Sequence, residues 1–299
     1  MNPNPVLRKL GFADDDRVVI VHADDVGMCQ ATLPAFADLV DFGLVSCGAT
    51  MVPCPWFPSL AAYCRQHPGV DLGVHLTLTS EWDGYRWGPL STRDPASGLL
   101  DEEGYLHRRS EEVYAHGDAA AVGLEMQAQV ARALAAGIDV THVDTHMGAV
   151  AHPRFIPAYV QLALEHRLPA MMLRLDEAGW REMGMDGETA AFAARFVQQL
   201  EEQGLPLLDR LTGLPLDQAG DQVELAKRTF DALPAGVTHL IIHPAQDTPE
   251  LRAIAPDWAG RVANYRAFMS EELRDAVRNS GVQVIGYRAL RKLMDISCG

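Results

Sequence analysis

The chain is poor in the features that stabilise small secreted domains. Its 299 residues include five cysteines, Cys29, Cys47, Cys54, Cys64 and Cys298, an odd set with no Cys-x-x-Cys spacing. Such a set argues against a disulfide framework and against a thiolate zinc site, and its members read as small apolar fillers. No apolar run approaches the length of a membrane span. Residues 1–16 carry Arg8, Lys9 and then Asp14, Asp15 and Asp16 without an apolar core segment, so they do not read as a signal peptide. The expectation is a reducing, cytoplasmic setting with no membrane partner. Positive charge is also scarce. Lysine and arginine number 25 against 40 acidic residues, a formal net charge of −15, which disfavours nucleic acid and anionic lipid as partners. Neither Gly-x-Gly-x-x-Gly nor a phosphate-binding Gly-x-x-x-x-Gly-Lys-[Ser/Thr] is present, so nucleotide fingerprints are absent. A neutral or cationic small molecule suits the composition better.

What the chain does contain is a steady alternation of strand-like and helix-like segments. Strands are expected at 17–23, 45–52, 70–78, 140–144, 170–175, 205–211, 237–243 and 282–286. Helices are expected at 30–42, 57–67, 111–136, 154–167, 188–203, 221–232 and 261–279. Gly43, Gly137 and Gly204 follow helical patterns as C-terminal stops, and Pro153 and Pro157 flank a helix start. Alternation of this kind implies βαβ units and a mainly parallel sheet. Seven or eight units in a chain this long fit a single α/β domain over 1–299, a closed or nearly closed barrel rather than an open sheet. The one long irregular stretch, a loop insertion at about 80–110, has the length of a functional loop.

Several strands end in titratable groups. The apolar run from Val18 to Val21 leads into His22-Ala23-Asp24-Asp25-Val26-Gly27. Side chains alternate along a strand, so the two carboxylates are presented differently where it ends. Such a pair can divide labour, one holding a metal and the other moving a proton; the plainer reading is a turn whose Asp caps the helix near Gln30. A third strand carries His75, and a fourth reads Thr141-His142-Val143-Asp144-Thr145-His146, with alternate residues on one face. Another ends in His243-Pro244-Ala245. In a parallel barrel these ends open onto one rim, where active sites of such folds lie. His22, His142 and His239 read as hydrogen-bonded core residues, and His67, His107, His116 and His166 as surface residues. For His75, His146 and His243, placement at strand ends favours a site. One Asp and two His make an open three-ligand site for one divalent metal ion, Mg²⁺ or Zn²⁺, with Mn²⁺, Co²⁺ and Fe²⁺ also compatible.

Together these segments resemble the YdjC/ChbG-like carbohydrate deacetylases, whose fold is a deformed (β/α) barrel related to the polysaccharide deacetylase and glycoside hydrolase-deacetylase barrels. The matching residues are His22 to Gly27, Gly73-Val74-His75-Leu76, Thr141 to His146 and His243-Pro244-Ala245, in order from about residue 17 to about 290. The resemblance implies a hydrolase that removes the acetyl group from N-acetylated mono- or oligosaccharides. It implies Asp25, His75 and His146 as metal ligands, Asp24 as general base and His243 as the group that protonates the departing amine. Asp144 would orient a ligand histidine from behind. The resemblance also makes a homodimer an expectation. One departure is visible: many members continue the fourth-strand motif with further histidines, whereas this chain reads Met147-Gly148-Ala149-Val150, and the spacing of His152 does not restore them.

The loop insertion contains Trp82, Tyr85, Arg86 and Trp87. They are candidates for binding a sugar ring; the alternative is that the rings pack the loop onto the barrel. Arg261, with Asn264 and Tyr265, follows the His-Pro-Ala segment closely. A solvated helix start is its plainer reading, and reach to the rim as a substrate-binding group the other. Three further functions stay open on the same residues. They are hydrolysis of another amide or ester, a non-haem Fe(II) oxygenase, against which the βα alternation speaks, and a non-catalytic sugar-binding barrel.

Overall fold

The computed structural model describes residues 2–296, and Cys298 lies outside them. Seven parallel strands form one sheet: β1 (Arg17–Val26), β2 (Cys47–Thr50), β3 (Leu72–Leu76), β4 (Val140–Thr145), β5 (Arg210–Gly213), β6 (Gly236–Ile242) and β7 (Gln283–Ile285). Their order is β4-β3-β2-β1-β6-β5, and β7 pairs with the start of β1. β1 is the axis of the sheet. It pairs with β6 from Arg17 to Ala23 and with β2 from His22 onward. Every residue of β1 after Arg17 is buried. A strand covered on both faces needs no polar–apolar alternation, which is why Val18 to Val21 reads as a continuous apolar run.

One of the eight expected strands, 170–175, is not a strand. Its backbone bonds to β4 through Val143 N to the Pro169 carbonyl and Met171 N to the Val143 carbonyl. It then turns to the other neighbour, with Leu208 N on the Met172 carbonyl and Arg174 N on the Leu208 carbonyl. Only single bridges result, Val143↔Ala170 and Leu173↔Leu208, too few on either side for a ladder. They nonetheless carry the sheet from β4 round toward β5. This gives a parallel α/β sheet ringed by helices, consistent with a deformed barrel.

Two expected helices are each split in two. Residues 111–136 form Ser110–His116 and Ala119–Ala135, because Asp118 accepts the Ala121 N–H and starts a new helix. Residues 261–279 form Trp258–Phe268 and Glu271–Asn279, with Ser270 capping the second. The Asp24-Asp25 pair caps no helix, since the helix Thr32–Phe42 begins at Ala31 without a side-chain cap. Gly43, Gly137 and Gly204 all take the left-handed conformation expected of helix stops. The loop insertion is held by its own partners. Trp87 is buried and donates its Nε1–H to the Thr79 carbonyl, and the buried Glu125 carboxylate accepts the Leu90 and Ser91 N–H groups.

Candidate active site

A break in β1 brings its two carboxylates together. Regular alternation would send Asp24 and Asp25 to opposite faces. The β1–β2 register shifts between Ala23 and Val26, and Asp25 takes a φ of 61°, a left-handed conformation that a non-glycine residue rarely adopts. Both side chains are thereby buried at one site, the kind of strained position that clusters at functional centres.

Three donor atoms from three strand ends then form a triangle. Asp25 Oδ1 lies 3.1 Å from His146 Nδ1 and 3.4 Å from His75 Nε2. The two ring nitrogens are 3.3 Å apart. Asp25 Oδ1 is buried and has no hydrogen-bond partner. Donors about 2.1 Å from a tetrahedral divalent ion are separated by about 3.4 Å, so these edges match the ligand spacing of such an ion. The cluster Asp25, His75 and His146 is thus able to hold a metal, and its mixed oxygen and nitrogen donors do not select one ion.

Around this triangle the remaining groups have fixed partners. Asp144 Oδ1 is 2.9 Å from His75 Nδ1, which leaves Nε2 to face the triangle. Glu81 Oε2 is 3.1 Å from His146 Nε2, which leaves Nδ1 to do the same. Arg261 Nη1 is 2.7 Å from Asp25 Oδ2, and its Nε binds Asp257. Arg261 is 3% exposed, so the solvated helix start is overturned. Asp24 points Oδ1 at His22 Nδ1, 2.6 Å away, and Oδ2 toward His243 Nε2 at 3.8 Å and His75 Nε2 at 3.7 Å. His243 is the most open of the group, its side chain 23% exposed, and Asn264 accepts its backbone N–H.

Electrostatics separate the groups. Burial pushes the Asp24 carboxyl up, but His75, the hydrogen bond from His22 and the charge of His243 together hold it well below the usual range. Burial acts on Asp25 in the same way and is outweighed by Arg261 and His146. Burial pushes His75 down, yet Asp144 and Asp24 raise it well above its ordinary value in the metal-free protein. For His146 burial is overcome by Glu81 and Asp25, which lift it to about 9. Burial lowers His243, only partly offset by Asp25 and Asp24.

The candidate sugar-binding residues of the loop do not stay together. Trp82 reaches the site, its ring 5.5 Å from the Arg261 guanidinium carbon. Arg86 is spent inside the loop, on Asp101 and the Leu106 carbonyl, and Trp87 is buried behind Trp82. Tyr85 donates its hydroxyl to the Met28 carbonyl. Glu81 and Asn264 reach the site without having stood out as candidates. Asn264 lies one helical turn after Arg261 and shares its face, a spacing legible in retrospect. Glu81 sits in irregular chain and has no periodicity to mark it. At Met147, where the histidine-rich continuation is missing, the backbone turns left-handed (φ 51°) and the side chain is 47% exposed.

Fold and donors define a class: a parallel α/β sheet ringed by helices, consistent with a deformed barrel, with an Asp-His-His cluster able to hold a metal at the carboxyl ends of its strands. The chain belongs to the YdjC-like protein family, whose sequence profile matches residues 18–279. It is 33% identical over 293 residues to a carbohydrate deacetylase of Thermus thermophilus, covering 97% of this chain and 99% of that one. It is 30% identical over 215 residues to a chitooligosaccharide deacetylase of Serratia marcescens, covering 70% and 80% of the two chains. A crystal structure from Enterococcus faecalis, described as a cellobiose-phosphate cleavage protein, superposes with a TM-score of 0.74 at 20% identity. It covers 92% of this chain and 99% of its own, and supports the fold. Among the described residues, no helix is long and apolar enough to cross a membrane.

Proposed function

We propose that this chain is a metal-dependent hydrolase that removes the acetyl group from N-acetylated sugars. The observation that carries the reading is the division of the aspartate pair. Asp25 directs a bare oxygen into a triangle with two histidine nitrogens, while Asp24 keeps Oδ2 on the side of His243. The names carried by relatives along most of the chain support the substrate class.

Asp25, His75 and His146 would hold one divalent metal. When bound, such an ion polarises an acetamide carbonyl and lowers the pKa of water beside it. Asp24, a carboxylate kept ionised, takes a proton from the attacking water through Oδ2. Oxygen bonds to the carbonyl carbon, the carbon–nitrogen bond breaks, and the proton taken up by Asp24 Oδ2 passes by way of His243 Nε2, 3.8 Å away, to the departing amine, leaving acetic acid, which ionises to acetate, and the free amino sugar. Asp144 and Glu81 orient the ligand histidines, and Arg261 balances the second oxygen of Asp25. The cleft of about 320 Å³ between the loop and the helix Pro249–Ile254, lined by Glu81, Trp82, Arg252 and Ala255, is the place we assign to the sugar. We read the chain as one domain. The four free, buried cysteines of the described residues fit a reducing compartment such as the cytoplasm.

The test is acetate release from a panel of N-acetylated mono- and oligosaccharides, by protein stripped with chelator and given single metals. Metal-restored release is expected. Metal binding without acetate from any sugar would transfer the site to another amide or ester, and activity dependent on oxygen would make it an iron oxygenase. Asp24→Asn should keep the metal and lose turnover, whereas His75→Ala should lose the metal. Equal loss of metal in both would refute the division of roles.

A further inference from the structure

Below the site lies a column of buried polar groups that the proposed reaction leaves without a task. His22 Nδ1 is 2.6 Å from Asp24 Oδ1, and His22 Nε2 is 2.8 Å from His142 Nε2. His142 Nδ1 is 3.0 Å from the Thr141 hydroxyl, which also contacts Asp71 Oδ1. Asp71 is tied to the barrel by the Arg288 N–H. The rings are tightly packed. His142 stacks on Tyr287 with centroids 3.8 Å apart, and His239 lies 4.6 Å from His22. A Cβ at Gly73 would lie 2.6 Å from the His142 ring, so the glycine of Gly-Val-His-Leu leaves room for that ring.

Proton accounting gives the column a direction. A carboxylate only accepts, so the hydrogen between Asp24 and His22 belongs to Nδ1. The two facing Nε2 atoms, 2.8 Å apart, need one hydrogen between them. If His142 supplies it, neutral His142 has a bare Nδ1 that accepts from Thr141, and Asp71 carries the proton that Thr141 accepts. Burial raises the Asp71 carboxyl, in keeping with that assignment. If His22 supplies it, Asp71 is ionised and His22 is the imidazolium. Under both distributions Nδ1–H of His22 points at Asp24.

We propose that His22 is the positioning residue of Asp24. It ties up Oδ1 so that Oδ2 alone faces the reacting water, and the His142–Thr141–Asp71 column fixes the ring that does so. The inference rests on the reading of Asp24 as the base. A core histidine with no such role would leave turnover indifferent to which polar group replaced it.

The test compares His22→Leu, which has no donor, with His22→Asn, whose amide N–H falls near the place of Nδ1–H. Metal content, kcat and KM are measured with the best acetylated sugar. His22→Leu is expected to keep its metal and its KM within about twofold while kcat falls about 10²-fold, the scale of a misplaced reacting group. His22→Asn is expected to recover at least tenfold of that loss. Unchanged kcat in His22→Leu, or His22→Asn no better than His22→Leu, would overturn the proposal. A second measurement does not depend on turnover or on the leucine variant folding. The His22 Nδ1–H proton should give a slowly exchanging, downfield NMR signal that moves in Asp24→Asn. A signal insensitive to Asp24→Asn also overturns the pairing. Wild-type protein that deacetylates no sugar would sink the functional reading, while the NMR comparison still decides the pair.

Discussion

Arg261 Nη1 lies 2.7 Å from Asp25 Oδ2 in a fully buried ion pair, and this contact decides which oxygen of Asp25 is left for a metal. Removing one member of a buried pair strands the other charge, at a cost of about 3–5 kcal/mol. Arg261→Met should therefore destabilise the metal-free protein by about that much. Metal would then partly take over the role of the guanidinium, so the variant should gain more melting temperature from added metal than wild type does. Equal gains would show that Asp25 does not couple the two cations.

Glu81 contributes from the loop to the opposite side of the triangle, through His146 Nε2. Partners behind a ligand histidine are typically worth about 10- to 100-fold in metal affinity. Glu81→Gln should weaken metal binding within that range in calorimetric titration and, because the Glu81 charge also helps hold buried His146 protonated, lower the melting temperature of the metal-free protein at neutral pH. Unaltered affinity would reduce Glu81 to a loop residue that happens to touch the site.

Gly73 tests the packing of the histidine column. The Cβ of Gly73→Ala has no free space against the His142 ring, and overpacking of this kind costs about 1–3 kcal/mol. Denaturant unfolding should report that loss. A neutral substitution would mean that the ring moves freely.

Stability should also depend on pH in a definite direction. His142 and His239 are held well below their ordinary 6.5, by burial first and by neighbouring His22 second. Below 6.5 the unfolded chain binds protons that these folded rings refuse, so stability is lost as pH falls through that value. The loss is at most about 1.4 kcal/mol per pH unit for each ring. His75 and His146 act in the opposite sense. Their folded values are raised, so their contribution is complete below 6.5 and is lost as pH climbs, toward about 9 for His146. The melting temperature of metal-free protein should peak near pH 6.5. A monotonic rise to pH 8 would contradict the raised pair.

Much of this protein was legible in one dimension. Val18 to Val21 announced a central buried strand because a strand covered on both faces is apolar throughout. Glycines at 43, 137 and 204 marked helix ends because only their backbone enters the left-handed region freely. Asp24, Asp25, His75, His146 and His243 were candidates because strand ends of a parallel barrel share one rim. The helix breaks at Asp118 and Ser270 were missed, because a capping residue inside a long periodic run leaves the apolar spacing on either side unbroken.

Other features needed the folded chain. The closing edge at 170–175 depends on two neighbours, each offering only a pair of backbone bonds, and no local pattern encodes that. Alternation predicted different faces for Asp24 and Asp25. The register shift that brings them together is set by how β1 meets β2. Arg261 looked like a solvated helix start because its partner Asp25 is 236 residues away in sequence. Arg86 and Trp87 looked like binding groups until the loop consumed them. Sequence alone determined seven of the strands, the helix stops at the three glycines and the chemical types at the rim, since these follow from local periodicity and backbone freedom. Tertiary structure decided which of those groups face one another and which oxygen each carboxylate keeps free, because that depends on contacts between distant segments.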